Sequence, residues 1–334
     1  MGIARLAAFA PRAFEGKQVD YFRLPVRSVL NRVDSRRVGF TWSINPYRGC
    51  EFGCSYCYAR YTHEYMELDP REFENKIYVK DQAARILRRD LVPEKVLGEH
   101  IAIGAATDPY QPAERRFGVT RTILETLLEF ARGLPGGGGL SLSITTKSNL
   151  VLRDIDLLRE LARCNRLHVN LSLTTLNPRL ARVLEPRAPR PDLRLETVRQ
   201  LNHAGIAAGV FLAPILPGIT DRPDDLEALV AAAAHARACH LVANVVFLMP
   251  SAQKKFFPFL EQRFPRLLKH YRKWYRRSGY APETYRTKIS TLMGQLRTKY
   301  RLPSRCPDDE SALNYSALAT TLTPRPQLAL PFAS

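Results

Sequence analysis

The sequence lacks long hydrophobic runs and any recognisable targeting segment. No apolar run in the 334 residues reaches the ~18 that a transmembrane helix needs. The apolar start of the chain is interrupted by Arg5, Pro11 and Arg12, which leaves it too short for the core of a signal peptide. An N-myristoylation signal would need Ser or Thr where Leu6 stands. We therefore expect a cytoplasmic protein without a membrane span.

Cysteine is also scarce, because six residues are too few for a disulfide scaffold in a chain of this length. Three of them, Cys50, Cys54 and Cys57, lie close together, a grouping that in a cytosolic protein is typical of a metal site. The other three are isolated, and each is expected to pack as a small buried side chain. These are Cys164, Cys239 and Cys306.

Acidic residues are few, with 32 Asp and Glu against 50 Lys and Arg, and the net charge is +18. The excess is concentrated in residues 251–305, which carry fifteen basic side chains and two acids. This segment also holds ten aromatic residues, and aromatic rings stack on unpaired bases. The combination favours a nucleic acid as partner. The alternative is an amphipathic helical region whose aromatic residues face the protein and whose charges face water.

The densest basic run within this segment surrounds Trp274. Lys273, Arg276 and Arg277 have the i, i+3, i+4 spacing of one helix face, so they are predicted to contact phosphates together. Trp274 would point about 100° away from Lys273 and is expected to be part of the core.

The chain alternates short β-like runs with amphipathic ones from residue 41 to residue 250. Strand candidates are 41–45, 100–106, 140–146, 167–174, 206–214 and 240–249, and helix candidates are 80–91, 119–132, 153–163, 191–204 and 223–237. Asp221 is the expected N-cap of the last of these helices. This rhythm predicts right-handed βα units and a parallel sheet, either as an open partial barrel or doubly wound. We expect a loosely packed extension over 1–40, a helical region over 251–305 and a tail over 306–334.

The clustered cysteines follow the first strand candidate in the run SINPYRGCEFGCSYCYAR. Four thiolates saturate a [4Fe–4S] cluster, whereas this loop supplies three, which would leave one iron open for chemistry. Gly49 and Gly53 would let the backbone wrap tightly around a cluster. The alternatives are a zinc site completed by His63, although zinc usually takes two such pairs, and a redox CxxC pair, which leaves Cys50 unexplained.

The spacing Cys-x3-Cys-x2-Cys, with an aromatic residue before the last cysteine, resembles the signature of the radical S-adenosylmethionine (SAM) superfamily. The run NPYRGCEFGCSYCYAR is similar to that of the spore photoproduct lyase-like subgroup. Further similar segments are ATDPYQPAE (106–114), TTKSNL (145–150), the stretch 170–206 and APILPGITD (213–221). The resemblance implies an α/β fold, a partial (β/α)6 barrel of the radical SAM type with a C-terminal helical, basic extension.

The same resemblance implies the cofactors and the type of reaction. Cys50, Cys54 and Cys57 would ligate a [4Fe–4S] cluster whose open iron binds SAM, and an electron donor such as flavodoxin or ferredoxin would reduce it. Cleavage of SAM would give a 5′-deoxyadenosyl radical that abstracts hydrogen from the substrate. The expected substrate is nucleic acid, in DNA repair by a lyase reaction or in base modification. The alternatives are a protein or small-molecule substrate, or a nucleic-acid-binding protein with a structural metal site.

Resemblance also implies which side chains contact SAM at the first two strands. Tyr56 stands where the family has an aromatic residue beside the adenine, although an ordinary packed tyrosine is the alternative. Thr107 and Asp108 follow the second strand candidate, where the family binds the methionine amino group. The Gly-Gly-Glu of other members is absent here.

At the next strands the resemblance implies contacts to the rest of SAM. Lys147, followed by Ser148, ends the third strand candidate, and its ammonium group suits the SAM carboxylate. Ser172 would bind the ribose hydroxyls, unless its hydroxyl bonds to the backbone instead. Glu185 and Arg187 would border the site as a pair, or form an ordinary surface ion pair.

Lesion-repair members of the subgroup carry a cysteine that returns a hydrogen atom to the product. Cys164 and Cys239 precede strand candidates, so they are expected at the end of the sheet away from the site. This departure weakens the prediction of photoproduct lyase activity itself.

Overall fold

A computed structural model of the chain describes residues 2–15, 19–34 and 38–306. The strands are β1 (Arg12–Glu15), β2 (Asp20–Arg23), β3 (Leu30–Arg32), β4 (Trp42–Ile44), β5 (Tyr47–Arg48), β6 (Lys76–Val79), β7 (His100–Ile103), β8 (Ser141–Thr146), β9 (Arg166–Ser172), β10 (Ala207–Ile215) and β11 (Leu241–Val245). Of the expected C-terminal tail, only Cys306 lies within the described residues. None of the described helices is both long and apolar enough to cross a membrane.

The α-helices vary from one turn to seventeen residues. They are α1 (Ile3–Ala8), α2 (Tyr61–Glu64), α3 (Ala83–Asp90), α4 (Pro93–Val96), α5 (Ala113–Phe117), α6 (Val119–Gly133), α7 (Ile155–Cys164), α8 (Pro178–Leu184), α9 (Pro191–His203), α10 (Pro223–His235), α11 (Pro250–Arg263), α12 (Pro265–Trp274) and α13 (Glu283–Lys299). Short 3-10 helices cover Tyr58–Arg60, Pro70–Glu72 and Asn149–Asp154.

A seven-stranded sheet in the order β11-β10-β9-β8-β7-β4-β3 forms the centre of the protein. Six neighbours, β4 and β7 to β11, run parallel in chain order, which confirms the predicted succession of βα units. β7, β8 and β9 are buried on both faces, as their apolar sequences indicated, whereas the edge strand β11 is mostly half-buried. Because β3 and β11 stand at the two edges, the sheet remains open, as in a partial barrel.

The N-terminal region has more regular structure than its sequence indicated. β3 extends the large sheet antiparallel to β4, and β2 pairs parallel to β6 in a four-stranded sheet with β1 and β5. Leu24 and Val29 are almost fully buried. The described part of 1–40 therefore contains more strand structure than expected, while most of its side chains are exposed or half-buried. Strands of three or four residues are too short to show periodicity, and pairing with distant strands forms them.

Two local predictions about helix ends are also wrong. α10 has Arg222 rather than Asp221 at its N-cap, and the Asp221 carboxylate accepts hydrogen bonds from the Gly218 amide and the Tyr285 hydroxyl instead. α12 ends at Trp274, so Arg276 lies beyond the helix and no continuous helical face joins it to the preceding turn.

The three C-terminal helices direct their aromatic residues inward. Phe256 is fully buried, and the buried hydroxyls of Tyr271 and Tyr275 donate to the carbonyls of Pro217 and Val246. Trp274 is half-buried against Tyr285, with the ring centroids 4.9 Å apart. These contacts follow the amphipathic alternative, in which aromatic residues pack on the protein and charges face water.

Candidate metal and cofactor site

The cysteine loop connects β5 to the 3-10 helix at Tyr58 and is held by backbone contacts. Gly49 has φ +84°, and a Cβ at this position would lie 2.6 Å from the Lys76 carbonyl oxygen and 2.8 Å from that of Phe73. The Cys50 amide donates to the same Phe73 carbonyl at 3.0 Å. Because the backbones approach this closely in a left-handed conformation, glycine is required at position 49.

The loop holds three free thiols in a nearly dry environment. Cys50 and Cys54 are each 8% exposed and Cys57 is half-buried. Burial raises the pKa of the Cys54 thiol to about 12 and also raises that of the Cys50 thiol well above its ordinary value. Thiolates in such a place need a compensating positive charge, which a bound metal supplies.

The spacing of the three sulfurs distinguishes between kinds of metal site. Two thiolates on one tetrahedral zinc would lie about 3.8 Å apart, given Zn–S bonds of about 2.3 Å. The sulfurs of Cys50, Cys54 and Cys57 do not all lie within 4.8 Å of one another, and His63 forms no group with them among the described residues. The Nε2 atom of His63 instead bonds to the Lys76 carbonyl. This donor set suits a [4Fe–4S] cluster, in which each thiolate binds a different iron and one iron stays open.

A buried arginine that the sequence analysis did not identify holds the cysteine loop through a hydrogen bond to its backbone. Arg60 is fully buried and donates to the Cys54 carbonyl at 3.1 Å and to the Glu74 carboxylate at 2.6 Å. Lys255 of α11 donates to the other oxygen of Glu74 at 2.8 Å. The only sequence signal for Arg60 was its place three residues after Cys57.

Side chains of the loop after β7 also form hydrogen bonds with the backbone of the cysteine loop. The Thr107 hydroxyl and the Gln111 amide both donate to the Gly49 carbonyl, at 2.6 and 3.1 Å. Asp108 accepts from the Thr146 hydroxyl at 2.6 Å and from the Lys147 amide at 2.7 Å, and burial raises its pKa. Thr107 and Asp108 thus tie the ends of neighbouring strands together, while their contact with the methionine amino group stays a prediction.

Glu185 is the centre of a buried polar network beside the loop. It accepts hydrogen bonds from Tyr56 and Thr174, the latter at 2.9 Å, and forms an ion pair with Arg194. Burial opposes ionisation of Glu185, but the charges of Arg194 and Lys147 outweigh it, so the pKa of the carboxyl is lowered.

The expected pairing of Glu185 with Arg187 is wrong. Arg187 donates to the backbone carbonyl of Glu74 at 3.2 Å, whereas the buried Arg194 of α9 takes the carboxylate of Glu185. Arg194 also donates to the carbonyl of Ser172 at 3.0 Å. Sequence proximity favoured Arg187, but α9 folds back toward β9 and presents Arg194 instead.

The predicted residues of the third and fourth parallel strands lie at the carboxyl ends of β8 and β9. Lys147 is half-buried; desolvation acts to lower its pKa, but Cys54 and Glu185 raise it by more, so its amine stays charged. The Ser148 hydroxyl accepts from the Leu150 amide at 3.2 Å and caps the 3-10 helix, a structural role. Ser172 is 5% exposed at the last position of β9.

Sequence comparisons identify the family that this chain resembles and several of its relatives. A family model described as the radical SAM superfamily matches residues 44–231. An uncharacterised protein of Mycobacterium tuberculosis is 34% identical over 306 residues, covering 90% of this chain and 87% of the relative. An uncharacterised protein of Methanocaldococcus jannaschii is 29% identical over 248 residues, covering 74% of this chain and 85% of the relative.

The similar solved structures include two of spore photoproduct lyase. One, with bound AdoMet and dinucleoside spore photoproduct, has a TM-score of 0.57 and 17% identity, covering 80% of this chain and 76% of its own. The other, complexed with dinucleoside spore photoproduct, has a TM-score of 0.59 and 18% identity. The match covers 84% of this chain and 79% of the lyase chain. At these identities the likeness shows a shared fold.

Proposed function

This chain belongs to the radical SAM superfamily, and from that premise we propose that it is a cytoplasmic enzyme that acts on a nucleic acid. As a member it uses a [4Fe–4S] cluster and SAM. When bound, these supply a 5′-deoxyadenosyl radical that takes a hydrogen atom from the substrate. A flavodoxin or ferredoxin is the proposed electron donor. The observation that carries the proposal of a cluster-dependent enzyme is the loop of three separated thiols, two buried and one half-buried, with no fourth cysteine beside them in the described part of the chain.

We assign cluster ligation to Cys50, Cys54 and Cys57. Arg60 would hold the loop in shape through the Cys54 carbonyl, and Glu74 would keep that arginine in place. The loop therefore needs little rearrangement to accept the cluster.

Three further side chains are proposed to bind SAM directly. Lys147 stays charged and so suits the carboxylate of SAM. Ser172, at the end of β9, would bind the ribose. Tyr56 would lie beside the adenine, with its hydroxyl oriented by Glu185 and Thr174.

Four other predicted residues are proposed to line the site while their observed bonds position it. Thr107 and Asp108 join the cysteine loop, β7 and β8, and Ser148 caps the 3-10 helix that follows β8. Arg187 anchors the segment after α8 to the backbone of the cysteine loop.

The case for a nucleic acid rests on the outer face of α12. Arg266, Lys269 and Lys273 recur at i, i+3 and i+7, so they form one exposed stripe. None of them forms an ion pair with a carboxylate in the described part of the chain, unlike Lys254 and Lys255 of α11. The stripe replaces the predicted face around Arg277 as the proposed phosphate contact.

The same helix connects this stripe to the site. Tyr271, on the inner face of α12, belongs to the apolar cluster that also contains Cys50, Cys54 and Tyr56. A polyanion bound along α12 would therefore lie on a helix that shares one apolar core with the cysteine loop. The shared fold with spore photoproduct lyase, solved with a dinucleoside spore photoproduct, supports the same substrate class.

Base modification is favoured over repair that ends on a cysteine. Cys164 and Cys239 lie before β9 and β11, at the amino ends of these parallel strands, whereas the cysteine loop and Lys147 follow strands. Neither thiol is therefore positioned to return a hydrogen atom to a product at the carboxyl ends.

A protein or small-molecule substrate is the second candidate. The observation that favours it is the burial of the aromatic residues: Phe256, Tyr271 and Tyr275 pack inward, so they offer no stacking surface to bases. In that case the stripe of α12 is a solvated helix face.

The test is anaerobic turnover with dithionite and SAM, in which 5′-deoxyadenosine is measured in the presence of irradiated DNA, cellular RNA or peptides. We expect a nucleic acid to raise 5′-deoxyadenosine formation and to acquire a mass change. The Cys54→Ala variant should lose the cluster of about four irons per chain and all turnover, while the control Cys164→Ala should keep both. Full iron content in a variant lacking all three loop cysteines would refute the cluster assignment. Stimulation by peptides alone would favour the second candidate.

A further inference from the structure

A second group of soft ligands lies far from the cysteine loop. The ligand atoms of Cys239, His240 and Cys306 all lie within 4.8 Å of one another, and among the described residues no other set of three or more His, Cys, Asp or Glu side chains does so. The Cys239 sulfur is 3.2 Å from Nδ1 of His240. His240 and Cys306 are each 2% exposed. Sequence reasoning had treated both cysteines as packing residues, because 66 positions separate Cys306 from its nearest partner in this group.

The fold brings these residues together at the amino ends of the parallel strands. Cys239 and His240 directly precede β11. After α13 the chain returns to this end, where the Leu241 amide donates to the Pro303 carbonyl at 2.9 Å and Leu302 is buried. The group is therefore at the opposite end of the sheet from the proposed SAM site.

The histidine ring is held in the orientation that a metal ligand needs. Nε2 of His240 is 2.8 Å from Oδ1 of Asn170. The tautomer with its hydrogen on Nε2 donates to this oxygen and leaves the lone pair of Nδ1 for a metal. Metal-binding histidines commonly donate their second ring nitrogen to an oxygen in this way. Gly209 makes room for the ring, since a Cβ there would lie 2.3 Å from Cε1 of His240.

We propose that Cys239, Nδ1 of His240 and Cys306 bind a zinc ion. The ion would hold the segment after α13 against the amino ends of the parallel strands. Two thiolates and one imidazole are donors that zinc prefers. Bonds of about 2.3 Å to sulfur and 2.0–2.1 Å to nitrogen place sulfur and nitrogen about 3.6 Å apart, so the observed 3.2 Å needs only a small adjustment. Both thiols lose their protons to solvent on binding. A water molecule would fill the fourth position of the tetrahedral ion. Because the ion joins the segment after α13 to β11, far from the proposed SAM site, we assign it a structural role.

The test uses the full-length protein, purified anaerobically with its iron–sulfur cluster from cells grown with added zinc. We expect about one zinc per chain, with zinc X-ray absorption showing two sulfurs at about 2.3 Å and a nitrogen at 2.0–2.1 Å. Cys239→Ser and Cys306→Ser should each lose zinc and keep iron. Cys164→Ser, which alters a half-buried thiol at the end of α7, should keep both metals. Cys54→Ala should lose iron and keep zinc.

Three outcomes would overturn the proposal. The first is a parent protein that contains no zinc, and the second is bound zinc whose coordination shell contains no sulfur. The third is a zinc content that falls in Cys54→Ala but not in Cys239→Ser or Cys306→Ser. The absorption measurement on the parent decides the matter even if a variant fails to fold. The iron content and 5′-deoxyadenosine formation of the parent test the proposed function separately.

Discussion

At the scale of single residues, the candidate site depends on charges buried next to one another. Lys147, Glu185 and Arg194 lie close enough to shift one another's pKa, and Cys54 joins them. A buried charge is tolerated only when opposite charges and hydrogen bonds compensate its desolvation. The network therefore constrains which side chains can be exchanged without loss of stability.

Replacing Lys147 by Ala should weaken SAM binding, because a charged hydrogen bond to the carboxylate would be lost. The expected loss is about 1–3 kcal/mol, or roughly 5- to 150-fold in Kd, measured by anaerobic calorimetry on cluster-loaded protein. Lys95→Ala, an exposed lysine of α4, is the control and should bind SAM as the parent does. Unchanged affinity in Lys147→Ala, with iron intact, would remove this residue from the SAM contacts.

Replacing Arg194 by Met should destabilise the protein, because it leaves the buried carboxylate of Glu185 without its ion pair. The free energy of unfolding is expected to fall by about 3–5 kcal/mol in anaerobic denaturation. Arg199→Met is the matched control on the same helix, since Arg199 pairs with Glu196 at the surface and should change little. Equal stability of the two variants would contradict the importance of the buried pair.

At the scale of secondary-structure elements, α12 has one buried apolar face and one exposed basic face. Tyr271 on the inner face is buried against Phe256 of α11, with the ring centroids 5.4 Å apart, whereas Arg266, Lys269 and Lys273 are exposed. Changes on the outer face can therefore test binding without disturbing the core.

The triple change of Arg266, Lys269 and Lys273 to Ala should weaken nucleic-acid binding and reduce its salt dependence. Each lost phosphate contact lowers the slope of log K against log salt by about 0.9 on duplex DNA, because fewer counterions are released. Fluorescence anisotropy at several salt concentrations measures both quantities. A control triple variant removes three exposed cations elsewhere: Arg85, Lys95 and Arg159. Equal slopes for parent and α12 variant would mean that α12 does not contact phosphate.

At the scale of the whole molecule, the C-terminal helices complete the site. Phe256 and Tyr275 belong to the apolar cluster of the cysteine loop, and Lys255 bonds to Glu74, which holds Arg60. The sequence-based boundary near residue 250 thus falls between parts that share one core.

A chain that ends at residue 249 should be poorly soluble and unable to retain the cluster, because removing α11 to α13 exposes this core. Solubility, circular dichroism and iron content measure the effect. A chain that ends at Cys306 keeps every contact described here and is the control. A soluble, iron-loaded 1–249 fragment would show that residues 250–306 form an independent unit.

The sequence by itself determined the six parallel βα units and the spacing of the cysteine loop. Both are encoded by residues close together in the chain. The βα units follow from the alternation of Ile- and Val-rich runs with amphipathic ones, and the loop follows from the spacing of three cysteines within the eight positions from Cys50 to Cys57. The same local pattern identified Lys147 at the end of β8.

Only the tertiary structure decided which distant groups meet. Glu185 pairs with Arg194 rather than with Arg187, and Cys306 reaches His240. The strands within the first forty residues likewise depend on partners in β4 and β6. Such contacts join residues on different elements, whether nine positions apart, as for Glu185 and Arg194, or much farther, as for His240 and Cys306. Their formation depends on how packed elements orient side chains, and local periodicity carries no information about that orientation.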